Sequence, residues 1–266
     1  MRKLLKQHIT TVKDDEKTII YLGLYGSQNY KLDTKDSDVD SKAISLPTIR
    51  EVALNLPKNN HTIVLKNNEH IDVKDIRLMF ECFYKQNINF LEILFCDEYW
   101  VDPLYKNDIQ KLRNMREDIA RYDQQRGINA AVGMSLQKLN ALEHPYPTIE
   151  WKINKWGYDG KQLSHILRLE NFIDSFYVHE YSFKESLTRF HLNNKELLIE
   201  TKQNKISLEA ARELANDSVK RIKTMKESLL KNNYQKNNST EFKMKELLYE
   251  IFKKSFILEL REKGEL

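Results

Sequence analysis

The stretch that decides the fold is Ile19-Ile20-Tyr21-Leu22-Gly23-Leu24-Tyr25-Gly26-Ser27, followed after ten intervening residues by Asp38-Val39-Asp40-Ser41-Lys42-Ala43-Ile44. An apolar run of this length ending in a Gly-Ser turn reads as a buried β-strand, and the second segment reads as another. Side chains alternate along a strand, so Asp38 and Asp40 share a face while Val39 points into the core. Two carboxylates so placed can hold a pair of divalent cations, and such a pair stabilises the attacking and leaving oxygens of a phosphoryl-type transfer. Gly26 lets the backbone approach phosphate oxygens without a Cβ in the way, and Ser27 offers a hydroxyl and an N–H as donors.

A site of this kind is completed by a third carboxylate on a neighbouring strand. His61 to Lys66 reads as a strand, Asn67-Asn68 as a tight turn, and Glu69 to Val73 as the returning strand, before a helix with Ile76, Met79, Phe80 and Phe83 on one face. Ile71 and Val73 then fall in the core, with His70 and Asp72 on the open face. Asp72 is the candidate, with Asp75 and Glu69 as rivals; Asp75 is equally suited to a helix N-terminus. The acidic segment Asp33 to Asp40 also fits a plain solvated turn, but not a helix-loop-helix calcium loop. Counted from Asp36, its sixth position is Ser41 instead of Gly and its twelfth is Pro47 instead of Glu.

The segment Leu24 to Ile44 resembles the signature of the DNA polymerase β superfamily. More narrowly it is similar to predicted nucleotidyltransferases associated with RNA ligases and found in phage genomes. The likeness runs on through Asn87 to Phe95, Trp156 to Leu169 and Leu197 to Lys202, covering residues 19 to 215. It departs from the pattern where Asn87 and Asn89 are followed by Ile and Phe instead of Pro. The resemblance implies a nucleotidyltransferase fold and reaction. A nucleoside triphosphate would be the substrate, ATP among the candidates, Mg2+ or Mn2+ the cofactor, and Asp38, Asp40 and Asp72 the catalytic metal ligands. It leaves the acceptor open.

Residues 161 to 178 read as a helix with Leu163, Ile166, Leu167, Phe172 and Ile173 on a buried side. Lys161, His165 and Arg168, spaced by four and three, form a separate cationic ridge. Such a ridge either is a solvated face or binds the triphosphate alongside Gly26 and Ser27. The same three positions match the family motif, which favours binding, with Arg168 able to grip two oxygens at once. Cys82 and Cys96 read as small core residues, and the seven histidines show no metal-type spacing. Trp151, Trp156, Tyr146 and Tyr158 fit hinge or core packing, with a base-stacking platform as the alternative.

With 266 residues, 41% hydrophobic and 31% charged, the chain can bury a full core. Its N-terminus is too polar for a secretion signal, and no segment approaches the ~20 apolar residues of a membrane helix. The expectation is a soluble cytoplasmic protein with reduced thiols, of unassigned oligomeric state. Residues 219–266 hold twelve Lys or Arg against seven Glu, a basic region suited to polyanions such as RNA or tRNA. Within it Phe242, Leu247, Leu248, Ile251 and Phe252 follow a helical period after a loop at 231–240.

The fold class that emerges is α+β. A small mixed-sheet catalytic core over 1–105 precedes a helical part over 106–266, with helices near 106–143, 160–178, 184–192, 207–229 and 240–262, the fourth capped by Ser207. The active site is expected in a cleft between the two. The leading function is transfer of a nucleoside monophosphate to a hydroxyl with release of pyrophosphate, at an RNA 3′ end in repair or at a tRNA-like acceptor. The alternatives are toxin-like nucleotidylation of a protein or small molecule, and a nucleotide- or RNA-binding module without turnover.

Overall fold

The computed structural model describes residues 4–34 and 37–266. Lys35 and Asp36 of the acidic stretch, like the first three residues of the polar N-terminus, lie outside the described residues. The chain divides into two compact units, Met1–Tyr122 with Lys236–Leu266, and Asp123–Gln235. The units therefore divide near residues 122 and 236, where the sequence pattern placed a single boundary at 105.

The first unit is built on five strands: β1 (Ile19–Tyr25), β2 (Asp40–Ser45), β3 (Asn60–Val64), β4 (His70–Asp75) and β5 (Tyr99–Val101). Their order is β3-β4-β2-β1-β5, with β2 and β4 parallel and the other neighbours antiparallel, giving the expected mixed sheet. Strand β1 is buried along nearly its whole length, which explains its continuous apolar sequence. At its centre a Cβ on Gly23 would lie 2.9 Å from Cys96 Sγ and 3.0 Å from Ile93, so only glycine fits.

Six helices complete the N-terminal part of this unit: α1 (Lys6–Lys13), α2 (Ile49–Ala53), α3 (Ile76–Tyr84), α4 (Ile88–Leu91), α5 (Lys106–Asn114) and α6 (Arg116–Arg121). Helix α3 buries Ile76, Met79, Phe80 and Phe83, the residues its periodicity selects. Helix α5 is pinned to the sheet through Arg113. Its guanidinium donates to the Tyr21 hydroxyl at 2.9 Å and to the Cys96 carbonyl at 3.1 Å, while that hydroxyl donates to the Ile93 carbonyl at 2.6 Å.

The second unit contains α7 (Gln124–Ala141), α8 (Glu150–Trp156), α9 (Gly160–Ile173), α10 (Phe183–Thr188), α11 (Lys195–Lys202) and α12 (Leu208–Leu229). Helix α9 is its axis, packed by α7, α11 and α12. It continues into a π-turn at Asp174–Val178. Ser207 caps α12 as expected, its hydroxyl accepting from the Ala210 N–H. The single helix expected over 106–143 is instead three, because Met115 leaves helical register and Asp123 accepts from the Arg126 N–H at 3.0 Å, starting a new helix.

The last helix, α13 (Asn238–Glu262), belongs to the first unit. It buries Thr240, Met244, Leu247 and Ile251, whereas Phe242, expected on the apolar face, is exposed. Glu259 accepts from the Ile49 N–H at 2.8 Å, and Lys254 pairs with Asp108 at 2.8 Å. No helix among the described residues is long and apolar enough to cross a membrane.

Two glycines test the packing of the second unit. A Cβ on Gly160 would stand 1.9 Å from the Thr201 carbonyl of α11, whereas one on Gly133 of α7 would meet nothing within 4 Å. Gly160→Ala should therefore cost about 2–3 kcal/mol or more through overpacking. Gly133→Ala should gain about 0.5–1 kcal/mol through helix propensity. Urea denaturation of the two variants checks both signs.

Candidate active site

The turn after β1 begins at Gly26, whose φ of 80° is costly for any residue with a Cβ. Hydrogen bonds from Asn29 N to Gly26 O at 3.0 Å and from Leu32 N to Ser27 O at 2.9 Å close it, and buried Tyr30 and Leu32 anchor it. The turn faces β2: a Cβ at Gly26 would lie 3.5 Å from Asp40 Oδ2. Asp40 opens β2, paired with Tyr25 on one side and His70 on the other, and its Oδ1 lies 3.5 Å from His70 Nδ1. Asp38 precedes the strand and is exposed, while Val39 between them is buried.

The parallel pairing of β2 and β4 sets Lys42 opposite Asp72. Asp40, Lys42, His70, Asp72 and Lys74 thus share one sheet face, and Asp72 is half-buried on it. Asp75 falls on the opposite face. There it caps α3, accepting from the Arg77 N–H at 2.8 Å, and is gripped by the Arg77 guanidinium at 2.7 and 3.0 Å. Glu69 is held by His8 Nε2 at 2.9 Å. Both rivals of Asp72 are therefore occupied structurally. Asp40 and Asp72 share this face, but Asp38, Asp40 and Asp72 do not gather into a group with ligand atoms all within 4.8 Å, among the described residues.

The sequence pattern overlooked the lysines of this face. Lys42 is buried, with its ammonium 3.5 Å from the centre of the Tyr25 ring and 4.2 Å from that of Phe90. It donates to the Asn89 carbonyl and lies 4.0 Å from Glu92 Oε1. Burial lowers its pKa to about 8, against the opposing pull of Glu92 and Asp72. Lys74 sits 5.0 Å from the Phe90 ring and donates to Asn60. The signal was available in the spacing: each lysine follows a candidate carboxylate by two positions, which puts both on one face of a strand.

Lys161, His165 and Arg168 all lie on α9, in the second unit, whereas the carboxylates belong to the first. Asp159 caps the helix, accepting from the Lys161 N–H at 3.2 Å. Lys161 is exposed, His165 is half-buried, and Arg168 is buried, because α9 is packed on several sides. The three do not form the uniformly charged ridge expected from spacing. Burial, and then Arg168, Lys138, Lys161 and Lys202, hold the His165 imidazole well below its ordinary range, so it is neutral near pH 7. Tyr158 is core, its hydroxyl donating to the Ile206 carbonyl at 2.9 Å, while Trp151 is exposed beside Trp156 with ring centres 5.5 Å apart. Cys96 is buried and Cys82 half-buried, and both are free thiols.

A Gly-Ser turn set against a carboxylate-bearing face of a mixed sheet is the framework of a nucleotidyltransferase-like head. Residues 1–155 match the model of RlaP, the RNA repair pathway DNA polymerase beta family, and the chain belongs to that family. A nucleotidyltransferase-like function follows from the membership. The match ends before Trp156, so Lys161, His165 and Arg168 lie outside it. No curated protein matches the chain. Among solved structures, a nucleotidyltransferase-like protein from Exiguobacterium sibiricum 255-15 is similar over 92% of this chain and 79% of its own, with 11% identity and a TM-score of 0.32.

The state of His165 can be checked by titration. With its folded pKa held below that of the unfolded chain, near 6.5, the unfolded state takes up a proton first as pH falls, and stability is lost below about pH 6.5. His165→Gln should weaken that loss. Urea midpoints at pH 7.5 and 5.5 should fall less in the variant than in the wild type.

Proposed function

We propose that this protein is a metal-dependent nucleotidyltransferase that moves a nucleoside monophosphate from a nucleoside triphosphate to a hydroxyl, with an RNA 3′ end as acceptor. The observation that carries the reading is the β2–β4 register, which gives Asp40 and Asp72 one face beside the Gly26 turn. The donor set fits Mg2+ or Mn2+, since it offers only carboxylate oxygens. Side chains set diagonally on adjacent strands are about 7–8 Å apart at the backbone, within the joint reach of two aspartates and an ion.

Asp38, Asp40 and Asp72 would hold the ions, which when bound stabilise charge on the attacking and leaving oxygens. Gly26 and Ser27 offer N–H and hydroxyl donors to the phosphates. The acceptor oxygen forms a bond to the α-phosphorus, the bond from that phosphorus to the α–β bridging oxygen breaks, and pyrophosphate leaves. The proton of the acceptor hydroxyl passes to a carboxylate oxygen of Asp72.

Each labelled triphosphate should be incubated with the protein, Mg2+ or Mn2+, and RNA bearing a 3′-hydroxyl. Lengthening of the RNA with release of pyrophosphate is expected. Asp38→Asn, Asp40→Asn and Asp72→Asn should each lower the rate by at least ~10²-fold in a folded protein. Asp75→Asn should act on stability instead. Near wild-type rates in Asp40→Asn would sink the mechanism, and label appearing on protein would move the acceptor.

The basic region supports an RNA acceptor. Lys243, Lys245 and Lys253 are exposed, whereas Lys254 is committed to Asp108. Reversing the first three to Glu should weaken RNA binding and flatten its salt dependence by roughly two units of logarithmic slope, with triphosphate affinity unchanged. An unaltered RNA affinity and slope would favour a protein or small-molecule acceptor.

A further inference from the structure

The second unit brings together three metal-type ligands that are scattered in sequence. Asp174, His179 and His191 have ligand atoms all within 4.8 Å of one another, although the histidines show no metal-type spacing along the sequence. Both imidazoles aim Nε2 at the same carboxylate oxygen: His191 hydrogen-bonds Asp174 Oδ2, and His179 Nε2 lies 3.4 Å from it. Two ring nitrogens and one carboxylate oxygen thus form a single cluster of three ligand atoms.

Local structure builds this convergence. On an α-helix five residues turn through about 500°, which would leave His179 roughly 140° away from Asp174. The π-turn closes instead with the His179 N–H donating to the Asp174 carbonyl at 2.9 Å, which returns His179 to the side of Asp174. Such turns are rare and concentrate at functional sites.

The third ligand comes from outside any helix and is fixed by buried amides. Asn171 Oδ1 accepts from the Leu192 N–H at 3.0 Å and the Asn193 N–H at 3.2 Å, while its Nδ2 donates to the Asn193 carbonyl at 3.1 Å. Asn193 in turn donates to Glu170 at 2.8 Å. The backbone that carries His191 is therefore locked to the end of α9, and little ordering is left for a bound ion to impose.

We propose that Asp174, His179 and His191 form a site for a divalent transition-metal ion of the zinc type. Two imidazoles and one carboxylate suit zinc better than magnesium, and three protein ligands leave a fourth position open. Asp174 is only 9% exposed, whereas both imidazoles reach solvent, and a cavity of about 540 Å³ borders Asp174 beside Asp217, Lys220 and Arg221. Because both imidazoles reach solvent, the fourth position is accessible to water. A bound ion would clamp the π-turn to the segment carrying His191. The site is separate from Asp38, Asp40 and Asp72 and independent of their role.

The test uses Co2+ as a spectroscopic substitute, added to the full chain. Expected is the strong visible ligand-field band of low-coordinate cobalt, saturating at one ion per chain, displaced by Zn2+, and lost in His179→Ala and His191→Ala. The band should persist in Asp38→Asn and Asp40→Asn, which separates it from the carboxylate site. His179 is half exposed, so its variant keeps the fold, as circular dichroism would verify. Zn2+ should also raise the Tm of the wild type but not of His179→Ala. The absence of a strong band at stoichiometric Co2+, or a band unchanged in folded His179→Ala, would overturn the proposal.

Discussion

A slip of one residue in the parallel pairing of β2 with β4 would send Asp40 and Asp72 to opposite faces of the sheet, because side chains alternate with a period of two. The registration is held from the face away from the carboxylates. His8, fully buried on α1, meets Ser41 of β2 through Nδ1 at 2.7 Å and Glu69, at the entry to β4, through Nε2 at 2.9 Å. Ala43, Ile71 and Val73 are completely buried on that same face, so a slipped strand would expose them and bury aspartates in their place. Hydrophobic burial and one bridging imidazole thus decide where the carboxylates point.

The carboxylate face is also electrically mixed. Lys42 and Lys74 alternate with Asp40 and Asp72, so the field at this surface is smaller than a cluster of acids alone would create. Lys42 is the more consequential of the two. Burial between Tyr25 and Phe90 brings its pKa to about 8, so its charge answers readily to what binds nearby. In the second unit the same desolvation leaves His165 uncharged among cations.

Much of the fold was legible because its signals are local. An apolar strand ending in Gly-Ser, the Asp-Val-Asp alternation, the apolar stripe of α3 and the Ser207 cap each depend on neighbouring residues. The features that escaped depend on contacts between residues distant in sequence. Arg168 resembles a surface cation until α7, α11 and α12 are packed around α9. Phe242 lies five residues before Leu247, about 140° away around a helix, and the burial spine of α13 runs instead through Met244. The gathering of Asp174, His179 and His191 rests on a π-turn, which a search at 3.6 residues per turn does not register. Around the candidate site, the turn at Gly26 and Ser27 was readable from the end of an apolar strand and the shared face of Asp40 and Asp72 from strand alternation, but Lys42 acquires its character only from the aromatic rings that enclose it.

The return of α13 to the sheet unit orders the events of synthesis. Glu259 meets Ile49 across 210 positions of sequence, and the hydrogen bond from Asn237 N–H to the Tyr122 carbonyl at 2.7 Å closes the base of the excursion. The helical unit of residues 123–235 is contiguous and rich in near-neighbour contacts, so it can fold while the ribosome is still making α13. The sheet unit must wait with the apolar surface destined for Met244, Leu247 and Ile251 uncovered, and during that interval it is the part of the nascent chain most exposed to chaperones and to aggregation.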